Sequence, residues 1–168
     1  KQEPPQGLGV DTFEFWCPER RPKGKNLGFE VKPGLDVYSF ENVNNGFVRP
    51  FRQANAWVAD LSDENPTLIM RWPEKQTINR IKLFFDTDYD HAMESSLMGH
   101  PERVIPHCVR EYSIRDDNGT ILAHKRDNHQ TINEISLDSP VHTAFLKFTF
   151  KKPMKNVPVG VFEILCYE

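Results

Sequence analysis

Carboxylate and imidazole side chains are concentrated in one stretch of the sequence, residues 86–107 (DTDYDHAMESSLMGHPERVIPH). The stretch contains Asp86, Asp88, Asp90, Glu94 and Glu102, together with His91, His100, His107 and Arg103. Such side chains can bind metal ions, transfer protons or form hydrogen bonds to sugar hydroxyl groups. A connection of this length between two strand-like runs is rarely a plain linker. We therefore expect the function of the chain to reside here.

The Asp86-x-Asp88-x-Asp90 spacing suggests a calcium loop, because hard cations bind several carboxylate oxygens on a tight turn. An EF-hand requires glycine at the sixth position and glutamate at the twelfth, where this chain has His91 and Leu97. An EF-hand is therefore excluded. A looser calcium loop stays open, beside the alternative that these aspartates cap turns of their own loop. The histidines lack the tight spacing of a zinc pair, which disfavours catalytic zinc.

The same stretch offers candidate groups for sugar chemistry. Glu94 with Asp88 or Asp90 would supply a carboxyl pair for glycoside cleavage, but that reaction depends on a separation that the sequence does not give. Sugar binding suits these residue types better, because hydroxyl groups both donate and accept hydrogen bonds and the ring packs on aromatic side chains. The predicted ligand-binding residues are Asp88, His91, Glu94, His100, Arg103 and Arg110 as polar contacts, with Tyr89 or Trp57 as the aromatic platform. For Trp57 a place in the core is the alternative.

A third interpretation concerns the apolar residues of this stretch. Met93, Leu97, Met98, Val104 and Ile105 are apolar enough to fold it as a lid over one end of the domain. Its charged side chains would then pair with one another and dock the domain onto a larger protein. Docking therefore stays open beside sugar binding.

The segments around this stretch alternate apolar and polar residues as β-strands do. In TAFLKFTF, for example, Ala144, Leu146, Phe148 and Phe150 share one face. Strand-like runs, from DVYSF to VGVFEILCY, recur with turn signals between them, among them Pro73-Glu74, Asp117-Asn118-Gly119 and Asp138-Ser139-Pro140. No segment shows a sustained helical period. The pattern predicts an all-β protein, an antiparallel β-sandwich (jelly roll) of about eight strands with one long polar loop.

Composition narrows the class of protein. The 168 residues include 21 basic and 24 acidic side chains, with a formal net charge of −3, so nucleic-acid binding is disfavoured. No apolar run reaches the ~20 residues that span a bilayer. Cys17, Cys108 and Cys166 have neither the number nor the spacing of a disulfide framework or a zinc site. Cys108 and Cys166 lie in strand-like segments and are expected to be buried thiols.

The chain is predicted to have two parts. Residues 1–35 are rich in proline, glycine and charge, and are predicted as a linker and irregular segment that packs on a sandwich formed by residues 36–168. The chain opens on Lys1 with no visible signal peptide. We therefore expect a piece of a longer protein, and its localisation is left open.

Several short motifs resemble the discoidin family, the galactose-binding-like jelly roll also found in coagulation-factor type C domains and bacterial carbohydrate-binding modules. Asn45-Gly46 takes the place of the family's Asp-Gly turn, Asn55-Ala56-Trp57 that of its Thr-x-Trp strand, and Glu163-Ile164 through Tyr167 that of its last strand. The resemblance covers roughly residues 36–168. It implies a sugar-binding sandwich with a structural calcium held by Asn42, Asn45 and Glu163, although asparagine in place of aspartate removes a charge.

The string FFDTDYDHAMESSLMGHPERVIPHCVREY resembles an accessory module on the C-terminal side of bacterial, often exported, FAD-dependent oxidoreductases. This resemblance implies a non-catalytic module of a larger enzyme and favours an exported (periplasmic or extracellular) location. The chain lacks a G-x-G-x-x-G fingerprint, so no cofactor is predicted in it beyond the structural calcium. The predicted partners are a glycan and the catalytic part of the same parent chain.

Overall fold

The computed structural model describes residues 30–32, 37–50, 54–87 and 108–168. The chain divides into two compact units, Lys1–Leu35 and Asp36–Glu168, and the second contains every strand described below. Several predicted features lie outside the described residues: the ligand residues Asp88, Tyr89, His91, Glu94, His100 and Arg103, the thiol of Cys17, and most of the N-terminal segment. Those expectations stay predictions.

The unit Asp36–Glu168 is an antiparallel β-structure. A 3₁₀ helix, Phe40–Asn44, precedes β1 (Trp57–Val58), β2 (Thr67–Phe85), β3 (Tyr112–Arg115), β4 (Ile121–Lys125), β5 (Ile132–Phe150) and β6 (Gly160–Tyr167). The strands are hydrogen-bonded in the order β1-β6-β2-β5-β3-β4, and all pairs are antiparallel. The predicted all-β antiparallel fold is confirmed. No helix in the described residues is long and apolar enough to cross a membrane.

Two predicted turns are wrong, because β2 and β5 run continuously through them. Arg71 pairs with Phe145 and Gln76 with Thr143, which sets residues 72–75 opposite residue 144. Farther along, the extra residues are in β5 instead of β2: residues 137–140 lie opposite residue 79. Pro73 lies in the β2 bulge and Pro140 in the β5 bulge. Residues in a bulge are not paired with the neighbouring strand, so the missing backbone N–H of proline costs no hydrogen bond of the sheet. The predicted pairs of shorter strands therefore merge into two long, bent strands.

The two halves of each long strand have different neighbours. The first half of β2 pairs with the end of β5, which also pairs with β3, whereas the second half pairs with β6 and the start of β5. The core fills the space between the layers: the Phe85 ring lies 5.4 Å from that of Tyr112 and 6.1 Å from that of Phe150. Burial of each such side chain stabilises the fold by roughly 1.5–3 kcal/mol.

The last residue of β2 lies beside the connection between β4 and β5, because Phe85 N–H donates to the Thr131 carbonyl. Asn128, in the same connection, donates to the backbone carbonyls of Val109 and Arg110. We call this region the loop end, defined by residues 86–87, 108–110 and 128–131. The predicted ligand-rich stretch therefore begins and ends there.

The predicted Asp-Asn-Gly hairpin joins β3 to β4. Asp116 Oδ1 accepts hydrogen bonds from Asn118 N at 3.0 Å and Thr120 N at 2.7 Å. Gly119 has φ +83°, a left-handed conformation that glycine adopts without steric cost. Local turn chemistry alone accounts for this connection.

Candidate functional site

The loop end is held together by Asn128, which is 1% exposed. Its backbone N–H donates to the Arg110 carbonyl at 2.9 Å, and its side-chain amide donates to the carbonyls of Val109 at 2.8 Å and Gln130 at 3.2 Å. Its Oδ1 accepts from Gln130 N at 3.0 Å and from Asn133 Nδ2 at 2.9 Å. Both polar atoms of this side chain are therefore satisfied, and the connection after β4 fixes the place where the ligand-rich stretch rejoins the sheet.

The other end of that stretch is anchored on β6. Asp86 N–H donates to the Gly160 carbonyl at 3.1 Å, and the hydroxyls of Thr87 and Thr131 lie 3.1 Å apart. A Cβ at position 160 would lie 2.8 Å from Asp86 Cβ, so only glycine allows this approach. One end of the stretch is thus set by β6, and the other end is set by the connection after β4.

Arg110 is the one predicted polar ligand residue within the described part of the chain. Its side chain is exposed at the loop end, and its carbonyl is held by Asn128. Next to it, Cys108 is 1% exposed, and burial raises the pKa of its thiol to about 11. Burial likewise raises the pKa of Cys166, a half-buried thiol, to about 12. Both are free thiols, as predicted, and neither is activated as a nucleophile.

Trp57 has a different environment. It pairs with Val161, and its ring centroid lies 6.0 Å from that of Phe150, so one side of the indole packs on the core. It also lines a groove of about 580 Å³ between the 3₁₀ helix and the first residues of β2. We call this the helix groove; Phe40, Glu41 and Asn44 form one wall, and residues 67–71 form the other. Arg110 does not line it, so the structure does not bring these two predicted ligand residues together in the helix groove.

The helix groove contains residues that the sequence did not single out. DVYSF was expected to form a strand, but that prediction is wrong, since the 3₁₀ helix begins at Phe40. Ser39 caps this helix, and its Oγ accepts from Glu41 N at 3.3 Å. A serine before an acidic first turn is a helix-start signal that would have revealed it. Arg71 carried no comparable local signal.

The second polar region lies around Glu163, in β6. This side chain is 1% exposed, and its Oε1 accepts from Gly46 N at 3.2 Å. Oε2 is buried and has no hydrogen-bond partner among the described residues. Burial raises the pKa of the carboxyl group, against the lowering effect of backbone hydrogen bonds from Gly46 and Asn45. The cause is desolvation, which penalises the charged form.

Asparagine side chains fasten the loop that faces Glu163. Asn45 donates its amide N–H to Asn55 Oδ1, while Asn55 donates to the carbonyls of Phe47 at 2.6 Å and Arg49 at 3.1 Å. Asn55 has φ +42°, a left-handed conformation that asparagine tolerates better than most residues. The loop is therefore tied to the chain just before β1.

Asn42 makes a similar connection from the 3₁₀ helix. Its amide donates to the carbonyls of Val37 at 3.0 Å and Ala56 at 2.9 Å. Its Oδ1 takes part in no hydrogen bond within the described residues, whereas Asn45 Oδ1 accepts from Phe47 N at 3.0 Å. The predicted calcium ligands thus belong to one loop-and-strand region, but both asparagines use their amide nitrogens to hold the loop.

The residues around Glu163 fit a bound cation at its carboxyl group. In the described residues no three acidic, histidine or cysteine side chains cluster as a metal site, so Glu163 would be the only charged ligand here. Its buried Oε2, which has no donor among the described residues, is what a cation would satisfy. Asn42 Oδ1 also accepts no hydrogen bond there, since Asn42 bonds through its amide nitrogen. Calcium takes roughly six to eight oxygen ligands, many of them backbone carbonyls. The chemistry of this region is therefore compatible with calcium and unsuited to zinc.

The chain is similar to known proteins in its fold but not detectably in its sequence. No protein-family profile matches the chain, and no curated protein sequence matches it. The fold is similar to a family 32 carbohydrate-binding module of Streptococcus pneumoniae EndoD, with a TM-score of 0.60 and 13% identity over 83% of this chain and 90% of that one.

Two further solved structures are similar to this chain. For chitosan-binding module 2 of a Paenibacillus sp. IK-5 chitosanase/glucanase, in complex with chitotriose, the TM-score is 0.59 with 12% identity over 80% of this chain and 89% of the other. For the family 32 module of Clostridium perfringens NanJ, in complex with galactose, the TM-score is 0.57 with 16% identity over 80% of this chain and 88% of the other. The chain therefore has the discoidin-like β-sandwich fold that these carbohydrate-binding modules share.

Proposed function

We propose that the chain is a non-catalytic, carbohydrate-binding accessory module of a larger bacterial enzyme. The observation that carries this proposal is the construction of the loop end. A fully hydrogen-bonded Asn128 and a close Asp86–Gly160 contact fix both ends of the ligand-rich stretch, and Arg110 is exposed beside it. The fold it shares with modules seen in complex with galactose and chitotriose supports the same function.

The proposed recognition depends on hydrogen bonds and stacking. The Arg110 guanidinium would donate to sugar hydroxyls or to an acidic sugar, since it has several N–H donors in a fixed plane. The proposed further contacts are Asp88, His91, Glu94, His100 and Arg103, with Tyr89 as the stacking platform. Fixing the ends of the stretch lowers the entropy lost when the sugar binds.

Affinity electrophoresis on a glycan panel that includes galactose and chitotriose tests this function. We expect at least one glycan to retard the 168-residue chain, and Glu94→Ala and Arg110→Ala to weaken the retardation about tenfold, the loss expected for a charged hydrogen bond. Arg115→Ala is the matched control, because Arg115 donates to Gly119 in the distant β3–β4 hairpin. A panel that gives no retardation would refute the proposal.

A second candidate function is docking onto the catalytic part of a parent FAD-dependent oxidoreductase. The resemblance of the ligand-rich string to modules of such enzymes motivates the parent, and a surface observation favours docking. Exposed large apolar side chains are frequent in residues 37–48, the segment that contains the 3₁₀ helix: Val37, Tyr38, Phe40, Phe47 and Val48. Clusters of this kind mark protein interaction sites.

The docking function is separable by experiment. In the full-length parent, Tyr38→Ser with Phe47→Ser is expected to lower assembly or turnover while the isolated chain still binds glycans. Ile121→Ser, which removes an equally exposed apolar side chain from β4, serves as the control. Unchanged assembly and turnover in the double variant would exclude docking through this segment.

We also propose a structural cation at Glu163, with calcium as the ion that the family resemblance implies. Glu163 would bind it together with Asn42, Asn45 and loop carbonyls, and the ion would neutralise a buried charge. An ion that binds only the folded state raises stability by about 2.7 kcal/mol at a hundredfold excess over Kd. We expect a higher Tm in calcium than in a calcium chelator. Equal Tm values would exclude the cation.

A further inference from the structure

The two walls of the helix groove carry charged side chains that are not paired. Glu41 lies on the 3₁₀ helix, and Arg71 lies at the far end of the opposite wall. The Arg71 guanidinium carbon is 4.7 Å from the centroid of the Phe145 ring, which holds it in place by a cation–π contact. Within the described residues neither side chain forms an ion pair. Their acceptors and donors are therefore free for a ligand.

Aromatic rings line the same groove as these charged groups. Phe40 is 65% exposed at the rim of the groove, and Trp57 contributes the outer side of its indole to the floor. An exposed phenyl beside a half-buried indole offers apolar surface at the same place as unpaired polar groups. This is the combination that recognises a molecule with polar edges and apolar faces.

The β2 wall adds backbone groups. Residues 67–71 pair with β5 along one edge, and β6 joins β2 only from Arg80 onward. No described strand pairs with the opposite edge of residues 67–71, so their outward N–H and C=O groups are available beside the groove. Hydroxyl groups can donate to these carbonyls and accept from these amides.

We infer that the helix groove binds a saccharide at a site separate from the loop end; this rests on the proposed carbohydrate-binding function. A saccharide uses all three features at once, because its hydroxyls both donate and accept while its C–H faces pack on the rings. The groove volume of about 580 Å³ lies within the range of small-ligand sites. An extended peptide would use the free strand edge but would not require the unpaired Glu41 and Arg71.

The test is a titration of the ¹⁵N-labelled chain with chitotriose and, in parallel, with galactose. We expect amide shifts at residues 40–44 and 67–71 and at the Trp57 indole. Phe40→Ala and Arg71→Gln should each weaken this binding about tenfold. The matched controls, Phe47→Ala and Arg80→Gln, should leave it unchanged. Phe47 matches Phe40, because it is a nearby phenylalanine that is 56% exposed. Arg80 matches Arg71, because its guanidinium carbon also lies over an aromatic ring, 4.4 Å from the centroid of the Tyr167 ring.

The outcomes separate this inference from the proposed function. Shifts confined to the loop end would overturn the helix groove and leave carbohydrate binding intact. The groove would also be overturned if a strand-forming peptide shifted the amides of residues 67–71 and neither sugar did so. Shifts at neither place with either sugar would overturn the groove, and the glycan panel would then decide the proposed function separately.

Discussion

Asn128 and Glu163 are equally buried polar side chains, each 1% exposed, but their hydrogen bonding differs. Asn128 has partners for its side-chain oxygen and nitrogen, and it joins three segments of the loop end. In the described part of the chain Glu163 has a partner for Oε1 only, and its Oε2 is buried without a donor. A buried polar group that is fully satisfied stabilises a structure by itself. One that is half satisfied needs a proton or a cation.

Asp117 shows that an unpartnered oxygen alone does not mark a site. Within the described ranges its Oδ1 is also buried without a partner, but Oδ2 accepts from Ala144 N at 3.0 Å and lies 3.1 Å from Lys75 Nζ. The charge of Asp117 is therefore balanced by a neighbouring cation within the chain. Glu163 has no basic side chain bonded to it in the described structure, and this distinguishes it.

The largest expected effect is that of Asn128→Ala. The variant leaves the buried carbonyl of Val109 without its amide donor and removes the acceptor of Gln130 N and Asn133 Nδ2. We expect a loss of about 3 kcal/mol in the free energy of unfolding. Urea unfolding measures it, with the exposed Asn156→Ala as the control. A loss no larger than that of the control would mean that Asn128 does not hold the loop end.

Glu163→Gln tests whether the half-satisfied carboxyl group of Glu163 binds a cation. The variant keeps the shape and removes the charge, so the difference in Tm between calcium and chelator should disappear. That difference corresponds to about 2.7 kcal/mol in wild type at a hundredfold excess of the ion over Kd. Glu74→Gln, at an exposed position in β2, should retain the full difference. A calcium effect that survives in Glu163→Gln would assign the ion to another site.

The pH dependence without calcium gives a second, smaller signature of Glu163. Burial raises the pKa of this carboxyl above its ordinary value. The folded state then holds the proton more tightly than the unfolded state, so stability is full at low pH and falls as pH rises through the raised pKa. Thermal unfolding in chelator should show this fall in wild type and not in Glu163→Gln. The same slope in both proteins would count against a buried charge at this position.

The thiol of Cys108 reports on the loop end without unfolding the whole domain. Cys108 Sγ lies 3.3 Å from Asn128 Nδ2, and the pKa of the thiol is raised to about 11 by burial. We expect slow alkylation at pH 8 in wild type and about tenfold faster alkylation of Cys108 in Asn128→Ala, as local opening becomes easier. Peptide mapping by mass spectrometry distinguishes it from Cys166, whose rate should stay unchanged. Equal acceleration at both thiols would indicate global destabilisation instead.

The smallest expected effect is that of Lys75→Met. A hydrogen bond from Ala144 N and the Lys75 ammonium hold the pKa of Asp117 below its ordinary value. Its contribution to stability is therefore present above the unfolded-state pKa and lost as pH falls through the folded-state pKa. Removing Lys75 should move this loss to higher pH in an acid titration of Tm. An unshifted acid limb would show that Ala144 alone sets the pKa of Asp117.

Some elements followed from local sequence. The β3–β4 hairpin requires only Asp116, whose carboxylate caps the turn, and Gly119, whose left-handed conformation closes it. Alternation in TAFLKFTF correctly placed Leu146, Phe148 and Phe150 in the core. Pro73 and Pro140 misled the interpretation, because a proline bulge and a proline turn have the same local signal. Only the facing bulge in the partner strand distinguishes them.

The sequence by itself determined that this chain is all-β, because a period of two residues buries one face of each strand. It also indicated the family-like positions Asn42, Asn45 and Glu163. Tertiary structure alone decided that one oxygen of Glu163 lacks a partner among the described residues, because that depends on how the loop of Gly46 lies over a strand far along the chain. It likewise brought Phe40, Trp57 and Arg71 together in the helix groove. Contacts between distant residues arise from bent strands and packed layers, which no local pattern encodes.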